Sequence, residues 1–140
     1  MSIVVGYLAT AEGRAALAAA SAEAERRLTN LVVVTSRQGT ERDEQGRLDQ
    51  VLALDAVRHE LDERGIAHEV RLVARSRDVA DELITAAEEA DGTLIVIGLR
   101  RRSPVGKLIL GANAQRILLD APCPVLSVKP ERESTTDPSR

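Results

Sequence analysis

The chain is almost without aromatic residues. Its 140 residues include no Trp and no Phe, and Tyr7 is the only Tyr, although 44% of the residues are hydrophobic. A core made from this composition has to be aliphatic and rich in alanine, which suits helices packed closely on a sheet. A single domain of this length buries roughly two-thirds of its unfolded surface, so it needs no disulfide or metal to hold a core.

Cysteine and long apolar runs are also scarce. Cys123 is the only cysteine, which excludes an intramolecular disulfide. The first residues, MSIVVGYLATAEGR, lack the basic and apolar regions of a signal peptide, and every apolar run is far shorter than the ~20 residues of a membrane helix. We therefore expect a cytoplasmic protein that does not contact membranes.

Positive charge is missing from most of the chain and concentrated in one segment. The net charge is −3, but residues 98–119 contain no acid and carry +5, which leaves −8 for the rest. This distribution argues against general nucleic-acid binding and is compatible with a small anionic ligand. A solvated or partner-facing patch explains the same charges equally well. The cations are Arg100, Arg101, Arg102, Lys107 and Arg116.

Short β-branched runs alternate with longer segments of helical period. Strands are predicted at 2–8, 30–36, 67–74, 92–98 and 124–129, and helices at 11–28, 47–64, 76–90 and 113–120. Strict alternation with nearly continuous apolar strands predicts a doubly wound α/β domain, in which helices cover both faces of a five-stranded parallel sheet.

Local signals predict where several of these elements begin and end. Thr10 and Ser76 are predicted to cap the first and third helices, and Gly65 and Gly92 to end the second and third. The polar segment 36–46 is predicted to be a solvated loop. The tail 131–140 is predicted to be disordered, so that the domain spans residues 1–130.

The loop after the fourth predicted strand contains the candidate binding site. Ligands of doubly wound sheets bind beyond the carboxyl ends of the strands, where successive crossovers reverse direction. A glycine-bearing loop that leads into a helix favours an anion there, because free N–H groups and the helix dipole attract negative charge. The candidate ligand-binding residues are Gly98, Arg100, Arg101, Arg102, Ser103, Gly106, Lys107, Gly111, Ala112 and Asn113.

Three stretches carry a family resemblance: TAEGRAAL, GTLIVIG and GANAQRILLDAPCPVLSVKP. In this order they resemble the universal stress proteins of the UspA type over about residues 2–130. The resemblance implies the sheet order 3-2-1-4-5, ATP in the crevice between strands 1 and 4 of the nucleotide-binding members, and homodimers that pair through the last strand. The corresponding residues here are Val125, Leu126, Ser127 and Val128.

The sequence departs from the nucleotide-binding pattern of that family, which is Gly, two residues, Gly, nine residues, then Gly and Ser or Thr. Starting at Gly98, the second glycine is replaced by Arg101 and the hydroxyl residue by Ala112, whereas Gly111 is retained. Leu8 stands where nucleotide-binding relatives carry an acid that contacts the nucleoside. The loop's own side chains would then supply the phosphate contacts, from the arginines, Lys107, Ser103 and Asn113.

Two functions therefore stay open. The first is a non-enzymatic, dimeric stress-response regulator that binds a phosphorylated ligand, ATP or AMP among the candidates. The second is an interaction module that has lost nucleotide binding. A slow ATPase is the weakest alternative, because no general base or magnesium-binding carboxylate is evident beside the loop.

Four other residues have structural explanations. Cys123 lies between two prolines and is predicted to be a structural thiol. His59 and His68 are too isolated to suggest a metal site. Tyr7 lies near the proposed crevice, where a role in packing and a role in stacking on a base are both compatible with its position.

Overall fold

The computed structural model describes residues 1–37, 43–74, 77–100 and 112–130. Within these ranges, nine strands and helices alternate in the order that the sequence predicts. The strands are β1 (Ser2–Gly6), β2 (Asn30–Ser36), β3 (His68–Val73), β4 (Gly92–Gly98) and β5 (Val125–Val128). The helices are α1 (Ala11–Arg27), α2 (Glu44–Glu63), α3 (Val79–Glu89) and α4 (Ala112–Asp120).

The five strands form one parallel sheet in the order β3-β2-β1-β4-β5. The doubly wound fold and the strand order are therefore confirmed. The chain runs outward from β1 to β3 and then crosses to β4, on the other side of β1. The strand order reverses between β1 and β4, and this is where such folds place their ligand crevice.

Each face of the sheet is covered by two helices. Consecutive strand residues point to opposite faces, so the apolar strands place side chains on both faces that the helices bury. Ile3, Val5, Leu31 and Val96 pack with buried residues of α1 and α2. Val4, Val32, Ile95 and Ile97 pack with buried residues of α3 and α4. The nearly continuous apolar strands of the sequence are thus explained by burial on both sides.

Three predicted boundaries are wrong by two or three residues: the end of β1, the start of α2, and the start of α3, which lies at Val79 rather than at residue 76. β1 ends at Gly6 rather than at residue 8, because the Thr10 N–H bonds back to the Leu8 carbonyl over 2.8 Å and turns the chain. α2 begins at Glu44 rather than at residue 47, since the Asp43 carboxylate accepts the Gly46 N–H over 2.8 Å. The loop predicted over 36–46 is therefore too long at both ends.

The predicted helix ends are confirmed in part. Thr10 caps α1, with its hydroxyl accepting the Gly13 N–H over 3.1 Å, and Gly65 follows α2 with φ of 70°. Ser76 lies outside the described residues, and the cap of α3 is Asp78, which accepts the Ala80 N–H over 2.8 Å.

Gly92 does not make the turn predicted for it. Asp91 adopts the positive φ, 54°, and Gly92 is the first residue of β4. A Cβ on Gly92 would lie 3.0 Å from the Cα of Ala87. The glycine is needed there because β4 starts close to the end of α3.

The remaining single residues have local roles. Cys123 is half-buried and packs beside the α3–α4 core, and burial raises the pKa of its thiol. The His68 ring lies 3.0 Å from the Ile66 carbonyl oxygen, and His59 is exposed beside Glu63. Within the described ranges, each helix is too short or too polar to cross a membrane. The tail 131–140 lies outside those ranges.

Candidate functional site

A cavity of about 220 Å³ opens where the strand order reverses, at the carboxyl ends of β1 and β4. Gly6 and Gly98, the last residues of these two strands, line its floor. The beginnings of α1 and α4 form two of its sides, at Thr10–Gly13 and at Asn113. The crevice expected from the topology is therefore present and open.

The walls of the cavity are mainly apolar. Polar groups are contributed by Thr10, Glu12, Ser36 and Asn113, and within the described part of the chain Glu12 is the only charged residue in the lining. A ligand in this cavity meets hydrocarbon on most sides and a few polar groups at the rim. The apolar lining consists of Tyr7, Leu8, Val34, Val79, Leu83, Ile97, Ala114 and Ile117.

Two glycines allow the first turn of α1 to lie directly against β4 and the end of β1. A Cβ on Gly98 would lie 2.2 Å from the Glu12 carbonyl oxygen, and one on Gly13 would lie 1.9 Å from the Leu8 carbonyl oxygen. Real side chains do not occupy such positions. Gly98 lines the cavity, and its missing side chain leaves space for α1.

An ion pair crosses the rim between α1 and the chain after β4. Arg100 Nη2 lies 3.1 Å from Glu12 Oε1. Hydrogen bonds from the backbone N–H of Glu12 and from Arg100 hold the pKa of the Glu12 carboxyl below its usual value, against the opposing effect of burial. The carboxylate is ionised at neutral pH, and it partly neutralises Arg100.

The beginning of α4 is held against α3 by Arg116. Its Nη1 lies 3.3 Å from Asp78 Oδ2, its Nε lies 3.6 Å from Asp120 Oδ2, and its Nη2 pairs with Asp81. Arg116 is therefore surrounded by carboxylates and supports the helix rather than the cavity. Although residues 98–119 contain no acid, the fold brings Glu12 to Arg100 and brings Asp78 and Asp81 to Arg116.

The structure places some of the predicted site residues and leaves others outside its description. Gly98 and Asn113 line the cavity, Arg100 lies at its rim with a 65% exposed side chain, and Ala112 is the first residue of α4. The other six, Arg101, Arg102, Ser103, Gly106, Lys107 and Gly111, lie outside the described residues.

Tyr7 and Leu8 directly follow β1 and do not close the crevice. Leu8 is 41% exposed and lies on the lining, so it does not fill the cavity. Tyr7 is 7% exposed, belongs to the core on the α1–α2 side, and donates its backbone N–H to the Val34 carbonyl over 2.9 Å. Tyr7 therefore packs in the core, and it also contributes to the lining of the cavity.

Glu12 and Ser36 were missed by reasoning from the sequence. Ser36 ends β2 and Glu12 lies in the first turn of α1. Both positions follow from the predicted elements, because all parallel strands end at the same edge of the sheet and the next helix starts there. Both residues are therefore among the polar residues that the sequence predicts at that edge of the sheet.

Comparisons with known proteins agree with this architecture. Residues 1–129 match the model of the universal stress protein family. A universal stress protein of Mycolicibacterium smegmatis is 43% identical over 128 residues, which cover 91% of this chain and 97% of the relative.

Two solved structures from Archaeoglobus fulgidus are also similar. A universal stress protein has a TM-score of 0.70 and 33% identity, covering 92% of this chain and 98% of the other. A universal stress protein in complex with dAMP has a TM-score of 0.66 and 26% identity, with the same coverage. Fold, family model and sequence identity agree, and the chain belongs to the universal stress protein family.

Proposed function

We propose that this protein is a stress-response regulator that binds a phosphorylated ligand, an adenine nucleotide, in the cavity between β1 and β4. The observation that carries the proposal is the open cavity at the point where the strand order reverses, bounded by Gly98 and by the start of α4. The site binds its ligand and does not catalyse a reaction. The lone, half-buried Cys123 favours action in the reducing cytoplasm.

The start of α4 supports the phosphate end of such a ligand. The first N–H groups of a helix have no partner within the helix, and the helix dipole places positive charge there. Asn113 adds a side-chain amide at the same end of the cavity. Arg100 pairs with Glu12 at the rim. A ligand phosphate competes with Glu12 for the Arg100 guanidinium and accepts a charge-assisted hydrogen bond from it.

The apolar walls support the nucleoside end. Val34, Leu83, Ile97 and Ile117 offer hydrocarbon surface to a flat base, and the hydroxyl of Thr10 lies at the rim. The acid that nucleotide-binding relatives carry is replaced by Leu8, so this ligand loses one contact. Loss of one buried polar partner costs about 1–3 kcal/mol, which predicts weaker binding than the complete family pattern gives.

The relative of 26% identity supports the choice of nucleotide, because that Archaeoglobus fulgidus protein was solved in complex with dAMP. Its similarity covers 92% of this chain. An adenine nucleotide is therefore the first ligand to test.

Calorimetric titration of the full chain with AMP, ATP and cyclic AMP tests the proposal. We expect saturable binding of at least one of them below millimolar concentration, and Arg100→Gln to weaken it about tenfold, equal to 1.4 kcal/mol. The matched control is Arg26→Gln, which removes an exposed arginine that pairs with Glu23 within α1. Absence of heat and of any thermal shift at millimolar ligand would overturn nucleotide binding.

The ion pairs that Arg100 and Arg116 already form favour a second candidate, an interaction module without a nucleotide. Arg100 already faces Glu12, and Arg116 already faces three carboxylates. In this case the arginines of the loop meet an acidic surface of another protein. A wild-type protein that ignores all three nucleotides, yet captures an acidic partner through Arg101 and Arg102, would support it.

We propose that two copies pair through the open edge of β5. The carbonyls of Pro124 and Val128 accept bonds from β4, so the intervening Ser127 directs its N–H toward the outer edge. Leu126 is 38% exposed on the same strand. We expect Ser127→Pro to remove the edge donor and halve the mass in sedimentation, while an unchanged mass would exclude this interface.

A further inference from the structure

The outer face of α2 carries an apolar stripe that the domain does not cover. Leu48, Val51 and Leu52 are 52%, 53% and 59% exposed. The opposite side of the same helix buries Leu54, Val57 and Leu61 against the sheet. An amphipathic surface helix has one apolar face, whereas α2 has two.

The three residues form one continuous patch. Residues three and four apart lie next to one another on a helix, which places Leu48 beside both Val51 and Leu52. Scattered single leucines on a surface need no explanation, but a contiguous patch with charged borders is typical of an interface. We call Leu48, Val51 and Leu52 the outer α2 patch.

Two oppositely charged residues lie at equal distances on either side of Val51. Glu44 and Arg58 are each seven residues from Val51, so they lie on the same face, about 10 Å to either side at 1.5 Å per residue. Both side chains are exposed, and the contact of Arg58 with Asp55 is a loose one of 3.6 Å. The two ends of the patch therefore carry opposite charge.

We propose that the outer α2 patch binds the same patch on a second copy of this chain, with the two helices antiparallel and a twofold axis at Val51. This arrangement brings Glu44 of each copy level with Arg58 of the other, so the ion pair forms twice. The three apolar side chains of each copy cover those of the other. A twofold contact uses one patch on both partners and therefore needs no other complementary surface.

Two polar segments of the chain, 38–42 and 131–140, contain no Ala, Val, Ile, Leu, Met or aromatic residue, so neither of them offers an apolar cover for the outer α2 patch. The contact is also separate from the ligand cavity, whose described lining includes no residue of α2, and from β5, which lies at the opposite edge of the sheet from β3. It would join edge-paired dimers into larger assemblies and leave the cavity open.

Sedimentation of the full chain tests the surface. We expect Val51→Asp to weaken self-association at least tenfold, and the matched control Leu28→Asp to leave it unchanged, because Leu28 is 93% exposed at the end of α1. Glu44→Arg and Arg58→Glu should each weaken association, and the double variant should restore it. Association that is unchanged in Val51→Asp or in both single charge reversals would overturn the proposal.

Cross-linking distinguishes this contact from one at β5. In a Cys123→Ala background, a residue on a twofold axis meets its own copy, so Val51→Cys should form a disulfide-linked dimer under mild oxidation. The control Leu28→Cys should stay monomeric in the same gel. Equal yields at the two positions would place the helices elsewhere and contradict the twofold axis at Val51.

Discussion

Helices α1 and α2 cover the same face of the sheet, yet they approach it very differently. α1 buries five small residues, Gly13, Ala16, Ala20, Ser21 and Ala24, and its first turn leaves no space for a side chain on Gly98. α2 is longer by three residues but buries only Leu54, Val57 and Leu61. Its three other large apolar side chains are exposed and form the outer α2 patch.

The difference separates two tasks within one face. The backbone of α1 lies close to the strands because its contact residues are small, and this fixes Thr10, Glu12 and Gly13 at the rim of the cavity. α2 contacts the sheet through the larger side chains of Leu54, Val57 and Leu61. Its outer face carries exposed apolar surface. Small residues on α1 thus position the rim of the cavity, whereas the outer α2 patch is the surface that we propose for self-association.

The largest expected effect comes from filling the contact between α1 and β4. Gly98→Ala places a Cβ 2.2 Å from the Glu12 carbonyl oxygen, so backbone has to move and the free energy of unfolding should fall by about 3 kcal/mol. Gly6→Ala is the matched control, since its Cβ meets the flexible end of Leu83 at 3.2 Å, and it should cost about 1 kcal/mol. Urea denaturation of both variants measures the difference, and equal costs would mean that α1 is not closely packed.

The two faces of α2 should respond differently to truncation. Leu61 is 1% exposed, so Leu61→Ala should lower the free energy of unfolding by about 2 kcal/mol. Leu52→Ala should change the unfolding free energy by less than about 0.5 kcal/mol, provided that the protein is dilute enough to be monomeric. Thermal denaturation gives both values, and a large loss for Leu52→Ala would show that the outer α2 patch is covered within the domain.

The N-terminal caps of α1 and α2 should contribute differently to the stability of the domain. Thr10 and Asp43 each accept the N–H of a glycine three residues later. Thr10→Ala should cost about 1 kcal/mol of global stability, because the first turn of α1 is part of the packed site. Asp43→Ala should mainly increase amide hydrogen exchange in the first turn of α2, and an equal global loss for both would contradict the comparison.

The smallest effect concerns the charge at the start of α1. Because the pKa of Glu12 is lowered in the folded state, its contribution to stability is present above the unfolded pKa and is lost as pH falls through the folded pKa. Arg100→Gln should raise the Glu12 pKa and move this loss to higher pH. NMR titration of the Glu12 carboxyl measures it, with Arg26→Gln as a control that leaves Glu12 unchanged.

Most of the fold could be predicted because its signals are local. The alternation of β-branched runs with helical segments predicts the parallel sheet. The bounds predicted for β2 and β4 agree with the structure. The errors came from close contacts that a sequence does not display. Gly92 was interpreted as a turn, although it is glycine because α3 lies against it.

The site was predictable in position and less so in composition. The topology predicts a crevice beside Gly98 and Asn113, which line the cavity, but the sequence alone does not show which acids face the basic segment. Glu12 and Asp78 are 88 and 38 residues from the arginines that they face, and such distant pairings depend on the packing of whole helices. This is why the basic segment looked unmatched in sequence and is partly neutralised in the fold.

The most direct test of the central claim is a two-dimensional NMR titration of the full chain with AMP. We predict that the largest shifts of backbone amides fall on Gly6, Gly98 and Asn113, which surround the cavity, while amides along the outer α2 patch do not move. A spectrum unchanged at millimolar AMP, or shifts confined to residues away from the ends of β1 and β4, would contradict nucleotide binding at this site.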